Sequence, residues 1–126
     1  NTEIKNMAAP NLKNPTTING KTARAGITTT AIVGVVTNAG SSGKALKINS
    51  IFAANVDGTN AVDVSVSVYD GSNDFYIAST INVPANATQI ISQKDSYFYL
   101  EEGDQLRVTV SAADDVNIIV GYEEIS

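Results

Sequence analysis

Val62-Asp63-Val64-Ser65-Val66-Ser67-Val68-Tyr69 alternates apolar and polar residues without a fault. Strict period-two alternation of β-branched residues marks a strand with one face in a core and the other in water. At roughly 1.5–3 kcal/mol per fully buried side chain, four valines on one face fix the register, because a one-residue slip would expose all four. The strand therefore has an inside and an outside, and the rest of the chain must supply the layer that covers its valines.

The composition says what kind of layer that is. The 126 residues make one domain, and 13 Val, 13 Ile and 12 Thr against 4 Leu favour sheet over helix. No run approaches the roughly eighteen apolar residues of a membrane-crossing helix, and no basic-then-apolar leader stands at the start. The chain begins at Asn1, which reads as loss of an initiator methionine. Cys is absent, so no disulfide framework can supplement the core. His and Trp are absent too, which removes the usual neutral-pH general base, the commonest metal ligand and the best stacking surface for sugars or bases. These absences count against most enzyme classes.

The net charge of −5 is unevenly spread. Residues 1–26 hold Lys5, Lys13, Lys21 and Arg24 against Glu3, a net +3, whereas residues 27–126 hold four bases against twelve acids, a net −8. An acidic body disfavours nucleic acid and anionic membrane as partners, and a basic tail suits the acidic surface of a neighbour.

Residues 1–26 show no sustained period and are punctuated by Pro10, Pro15, Asn19-Gly20 and Gly26, which predicts an extended N-terminal arm with at most a turn or two of helix before Pro10. The sandwich domain is expected over residues 27–126. Its first strand is read over Thr28–Thr37 as a central one, apolar on both faces in its second half. Leu46, Ile48, Phe52 and Ala54 are assigned to one inward face, and after the 62–69 strand Phe75, Ile77, Ile81 and Val83 to another. Short strands follow at Thr88–Ser92 and Tyr97–Leu100, then alternating ones at Gln105–Ala112 and from Val116 to about Glu123. Asp57-Gly58 and Asp70-Gly71 are hairpin-type turns. About eight strands, spaced roughly 8–12 residues apart, predict an all-β antiparallel sandwich of jelly-roll or Greek-key topology, with an immunoglobulin-like order as the runner-up.

Motifs that carry chemistry are imperfect here. Gly40-Ser41-Ser42-Gly43-Lys44-Ala45 has two residues between its glycines instead of four and Ala after the lysine, so it reads as a hairpin turn and not a phosphate loop. Asp70, Ser72 and Asp74 have the spacing of a calcium loop's first ligands, but Phe75 stands at the glycine position and Ile81 at the closing glutamate position, leaving a turn or at most an adventitious site. Glu101, Glu102 and Asp104 are neighbours on one turn, whereas glycoside hydrolysis needs two carboxylates facing each other across a sugar. No Gly-x-Ser-x-Gly elbow occurs. Asn86-Ala87-Thr88 fits a glycosylation triplet, which we treat as chance. Tyr69 and Tyr76 flank one hairpin and are read as a possible interface, since Tyr has an apolar body and a polar tip. No catalytic residue, metal ligand or cofactor is assigned.

Three passages carry a family resemblance: Ile51-Phe52-Ala53-Ala54-Asn55-Val56-Asp57-Gly58, Ile81-Asn82-Val83-Pro84-Ala85-Asn86-Ala87-Thr88, and Tyr99-Leu100-Glu101-Glu102-Gly103-Asp104-Gln105-Leu106-Arg107-Val108. In that order they resemble small β-sandwich virion proteins of tailed bacteriophages, marine and cyanobacterial ones especially, which decorate the capsid or line the neck and tail. The resemblance covers about residues 30–126. The Leu100 to Leu106 turn also looks like those of tumour-necrosis-factor-like and complement-type jelly rolls. What the resemblance implies is a non-enzymatic, cofactor-free virion protein, a capsid decoration or cement subunit. Its partners would be the major capsid protein, other virion proteins and further copies of itself. The basic residues Lys5, Lys13, Lys21 and Arg24 then become candidate arm contacts. A neck or tail connector, or a receptor- or carbohydrate-binding module of a tail or fibre, is the alternative.

Overall fold

The computed structural model describes residues 10–126. Nine strands make up the fold: β1 (Ile18–Ile27), β2 (Val33–Thr37), β3 (Ala45–Asn55), β4 (Val62–Tyr69), β5 (Asp74–Val83), β6 (Thr88–Ser92), β7 (Phe98–Leu100), β8 (Gln105–Val110) and β9 (Val116–Ile125). One 3₁₀ turn, Lys94–Ser96, separates β6 from β7. The first sheet has the order β1-β9-β3-β6, with β7 also paired to β3, and the second has the order β2-β8-β4-β5. All pairings are antiparallel. Except for the β4–β5 hairpin and the β6–β7 step, each connection carries the chain from one sheet to the other. This wrapping is the double Greek key of a jelly roll.

The valine strand behaves as its pattern requires. Val62, Val64 and Val66 are buried, Val68 is partly so, and they pack with Ile48, Ile51, Leu100, Leu106, Val108, Ile118 and Val120 between the sheets. A buried asparagine closes the sandwich at each end. Asn38 Nδ2 donates to the Lys44 and Leu100 carbonyls at 2.8 and 2.9 Å. Asn55 Nδ2 donates to the Asn60, Val83 and Pro84 carbonyls at 2.9, 3.0 and 3.2 Å, so one amide ties the start of β4 to the end of β5. A buried amide must find such partners, and these loops supply them.

In several places the structure departs from the sequence expectation. Residues 18–27 form strand β1, hydrogen-bonded along its whole length to β9, so the sheet begins nine residues before the expected domain start. Residues 10–17 precede β1, and residues 1–9, with Lys5 and the suggested helical turns, fall outside the described residues. Thr28–Ile32 is a connection, and β2 is an edge strand where a longer central one was expected. Phe52 faces outward, because a bulge between Ile48 and Ser50 changes the alternation and gives Ile51 and Ala53 the core positions. Ile77 is likewise turned out: β5 carries one bulge opposite Ser65 and another at Ile77, and Ala78 takes the buried place.

Candidate interaction surfaces

The outer face of the second sheet carries the two tyrosines singled out from sequence, and they have different surroundings. Tyr69 lies under the Arg107 guanidinium, whose carbon is 3.9 Å from the ring centroid, and its hydroxyl donates to the Gly71 carbonyl at 3.0 Å. Arg107 also forms an ion pair with Asp74 at 2.9 Å, and Ser67 Oγ donates to the other Asp74 oxygen at 3.0 Å. Tyr69 is thus one member of a cluster holding β8, β4 and the start of β5 together. Tyr76, opposite Ser67 in the ladder, is 56% exposed.

Around Tyr76 the edge of the second sheet is apolar. Phe75 is 60% and Ile77 41% exposed, which makes three consecutive large residues open to solvent on one edge strand. Thr80, at the first bulge, has φ of 54°, a left-handed conformation that a β-branched residue adopts only under strain, and its N–H donates to Ser65 Oγ at 2.8 Å. Sequence reading missed Phe75 and Ile77 as surface residues because they are in period-two phase with Ile81 and Val83, with Ser79 the one polar residue between. The positive φ leaves no mark at a threonine.

A second row, apolar except for Arg24 at its end and half-buried at Phe52, crosses the outer face of the first sheet. Arg24, Ile119, Phe52 and Ile90 are successive ladder partners on β1, β9, β3 and β6. Arg24 and Ile119 also line a shallow depression with Gly26 and Asn117. Of the other basic candidates, Lys13 is exposed, whereas Lys21 and Lys44 both reach Glu124, at 3.5 and 3.3 Å. Lys21 is therefore held within its own chain.

The loops with suggestive motifs are occupied by their own hydrogen bonds. Asp70 Oδ1 accepts the N–H groups of Ser72 and Asn73, both at 2.8 Å, while Asp74 points to Arg107, so the oxygens of the calcium-like triplet diverge. Those two N–H bonds, that of Asn73 foremost, hold the Asp70 carboxyl below its ordinary range. Glu102 accepts the Gly43 N–H at 2.7 Å, so the phosphate-loop look-alike is lashed to the acidic turn. Asp57 is lowered by the N–H groups of Thr59 and Asn60, and Asp115 beside it is raised, by desolvation first and then by the Asp57 charge. Among the described residues no group of three or more acidic side chains converges as a metal site would require.

No family model matches the chain, and no curated protein does. Solved structures do. A chain in the acid-stable capsid structure of Helicobacter pylori bacteriophage KHP30 superposes with a TM-score of 0.53 over 90% of each chain, at 12% identity. The likeness is one of fold. Lower similarity is found to a chain of the virus-like particle of the giant freshwater prawn Macrobrachium rosenbergii extra small virus, with a TM-score of 0.44, 12% identity, and 93% and 85% of the two chains covered. A pentameric capsid protein from metagenomic phage sequences has a TM-score of 0.39 and 13% identity, over 97% of this chain and 66% of that one.

Proposed function

We propose that this chain is a non-enzymatic structural protein of a virus particle, and within that class a bacteriophage capsid decoration or cement subunit. The observation that carries the reading is the match to the KHP30 capsid chain, which spans nine-tenths of both molecules, so the whole jelly roll is shared and not a fragment of it. The surface supports the same reading. Its polar motifs are spent on closing turns, while its unspent features are exposed apolar rows, the type of surface that marks contact with another protein. The finer assignment rests on the resemblance to phage decoration proteins and on the segment preceding β1. That segment leaves the sandwich beside Ser126, whose carbonyl accepts the N–H groups of Thr16 and Thr17 at 2.6 and 3.0 Å. An anchoring arm is accordingly assigned to residues 1–17, with Lys5 and Lys13 against Glu3 as its charges and the major capsid protein as its partner, while Arg24 lies within β1, away from the arm's root.

Quantitative mass spectrometry of purified particles tests the class. Copies on the order of hundreds, comparable with the major shell protein, are expected of a decoration subunit; about a dozen would transfer the protein to the neck, tail or fibre. Absence from clean particles would overturn the virion reading. Deletion of residues 1–17, which spares β1, should weaken attachment and reduce its salt sensitivity. Deletion to residue 26 would remove a strand and test folding instead.

A further inference from the structure

Strands β1, β2, β5 and β6 carry the free edges of the two sheets, and they differ in how they could receive another strand. β2 and β6 are five residues long, with an extra residue at Val35 and at Ile91, and β5 has two bulges. Short and bulged edges resist further pairing. β1 is ten residues long and pairs with β9 without a register shift. Its residues 18–22, Arg24 and Gly26 are exposed, and among the described residues β9 is its one ladder partner. Thr17 and Ser126 exchange both backbone bonds, each at 3.0 Å, so by antiparallel alternation the odd-numbered residues of β1 bond to β9. The N–H and C=O groups of Ile18, Gly20, Thr22, Arg24 and Gly26 therefore point to the open edge.

The outer face beside this edge holds two charges with no counter-charge in ion-pairing distance among the described residues, Arg24 on β1 and Glu123 on β9. Glu123 is the ladder partner of Gly20, and its carboxylate accepts the Asn49 Nδ2–H at 3.4 Å. A Cβ built on Gly20 would meet nothing within 4 Å, and Gly20 has no positive φ, so no contact among the described residues requires glycine there.

We propose that β1 pairs antiparallel with β1 of a second copy of this chain, about a two-fold axis through Thr22, so that the two first sheets become one. Matching faces require the axis to pass through a residue. An axis at Lys21 or at Arg24 would set like charges directly opposite, and one at Ala23 would bring the two Arg24 side chains diagonal to each other. An axis at Thr22 sets Arg24 opposite the partner's Gly20 and Ile18 opposite the partner's Gly26. In the first of these rows the partner's Gly20 stands between Arg24 and the partner's Glu123, and the bare glycine lets the guanidinium cross to the carboxylate, twice by symmetry. The edge also selects its occupant by shape. It needs an unbulged strand with an open row of equal length, and among the described residues β1 alone presents one. The two-fold contact uses up both edges, so assembly through it stops at the dimer. Free protein would form this dimer whether or not it belongs to a particle, so failure here leaves the virion reading standing.

Sedimentation velocity on the full chain from about 1 to about 100 µM should show a monomer–dimer equilibrium and no larger species. Thr22→Pro removes an edge N–H that β9 does not use, and should weaken the dimer at least about tenfold. Gly20→Val should weaken it as much by blocking the path of Arg24, although valine suits a strand and leaves the monomer folded. Arg24→Glu and Glu123→Arg should each weaken the dimer about tenfold and, combined in one chain, restore it to within about threefold of the wild type. Far-ultraviolet circular dichroism checks that each variant is folded. A monomer at every concentration would overturn the proposal, as would growth beyond the dimer, a dimer indifferent to Thr22→Pro, or a charge exchange that restores nothing. A dimer lost on deletion of residues 1–9, which leaves β1 whole, would give the edge to that segment and overturn self-pairing.

Discussion

Strands β4 and β5 are hydrogen-bonded neighbours that serve opposite purposes. β4 has eight residues and no irregularity of its own; β5 has ten, and the two extra residues are its two bulges. In β4 the alternation of side chains and the alternation of faces remain in step, so every second residue belongs to the core. In β5 each bulge shifts that step by one, which releases Ile77 to solvent and leaves small Ala78 to face the interior. The pair shows that one ladder can hold a core with one strand and leave large apolar residues open to solvent on the other.

The largest perturbation of this pair should come from Asn55→Ala. It leaves three carbonyls at the far end of the hairpin without their donor, and a loss of about 3 kcal/mol is expected in urea unfolding. Next, Val66→Ala should cost about 2 kcal/mol by opening a cavity in the core, while Ile77→Ala should change stability by less than about 0.5 kcal/mol. Similar costs at the two positions would mean that the bulges do not separate the strands as described. Thr80→Gly should stabilise by up to about 1 kcal/mol, because glycine adopts the positive φ without strain and the N–H bond to Ser65 is kept. The smallest effect concerns Asp70 in the connecting turn. Its folded pKa is depressed, so the stability it lends is present above its ordinary value near 3.8 and is lost as pH falls through the folded value. Between about pH 5 and pH 3 the urea midpoint of Asp70→Ala should therefore fall less than that of the wild type.

The same contrast explains what could be read in the sequence. The sandwich class, its jelly-roll alternative and the β4 and β8 faces were legible because Val62–Val68 and Leu106–Val110 carry large apolar residues at strict period two. Strand β1 was hidden because the residues it turns toward the core are Ala23, Ala25 and Ile27 between glycines, and small side chains give a faint alternation. The expected eight strands counted β7 and missed β1. Bulges are hidden for another reason: one inserted residue inverts every assignment beyond it, as happened at Phe52 and Ile77, and no residue type announces it. The surfaces were harder still. Tyr69 and Tyr76 look alike in sequence, and only the approach of Arg107 from β8 separates a tyrosine held in a cluster from one left open. The charge division along the chain was present in the sequence, but the fold mixes it, because the acidic β8 and β9 regions come to lie beside β2 and β1.

Strand β9 lies between β1 and β3 in its sheet although it is the last strand of the chain. Neither neighbour can acquire that partner until residues about 90 positions downstream of β1 have arrived, and every such pairing must first close a long loop. The fold is therefore expected to form late and all at once, on the milliseconds-to-seconds scale of proteins dominated by distant pairings. While β9 is in transit, β1 has no partner in its own molecule, and the first strand of one molecule is open to capture by the last strand of another.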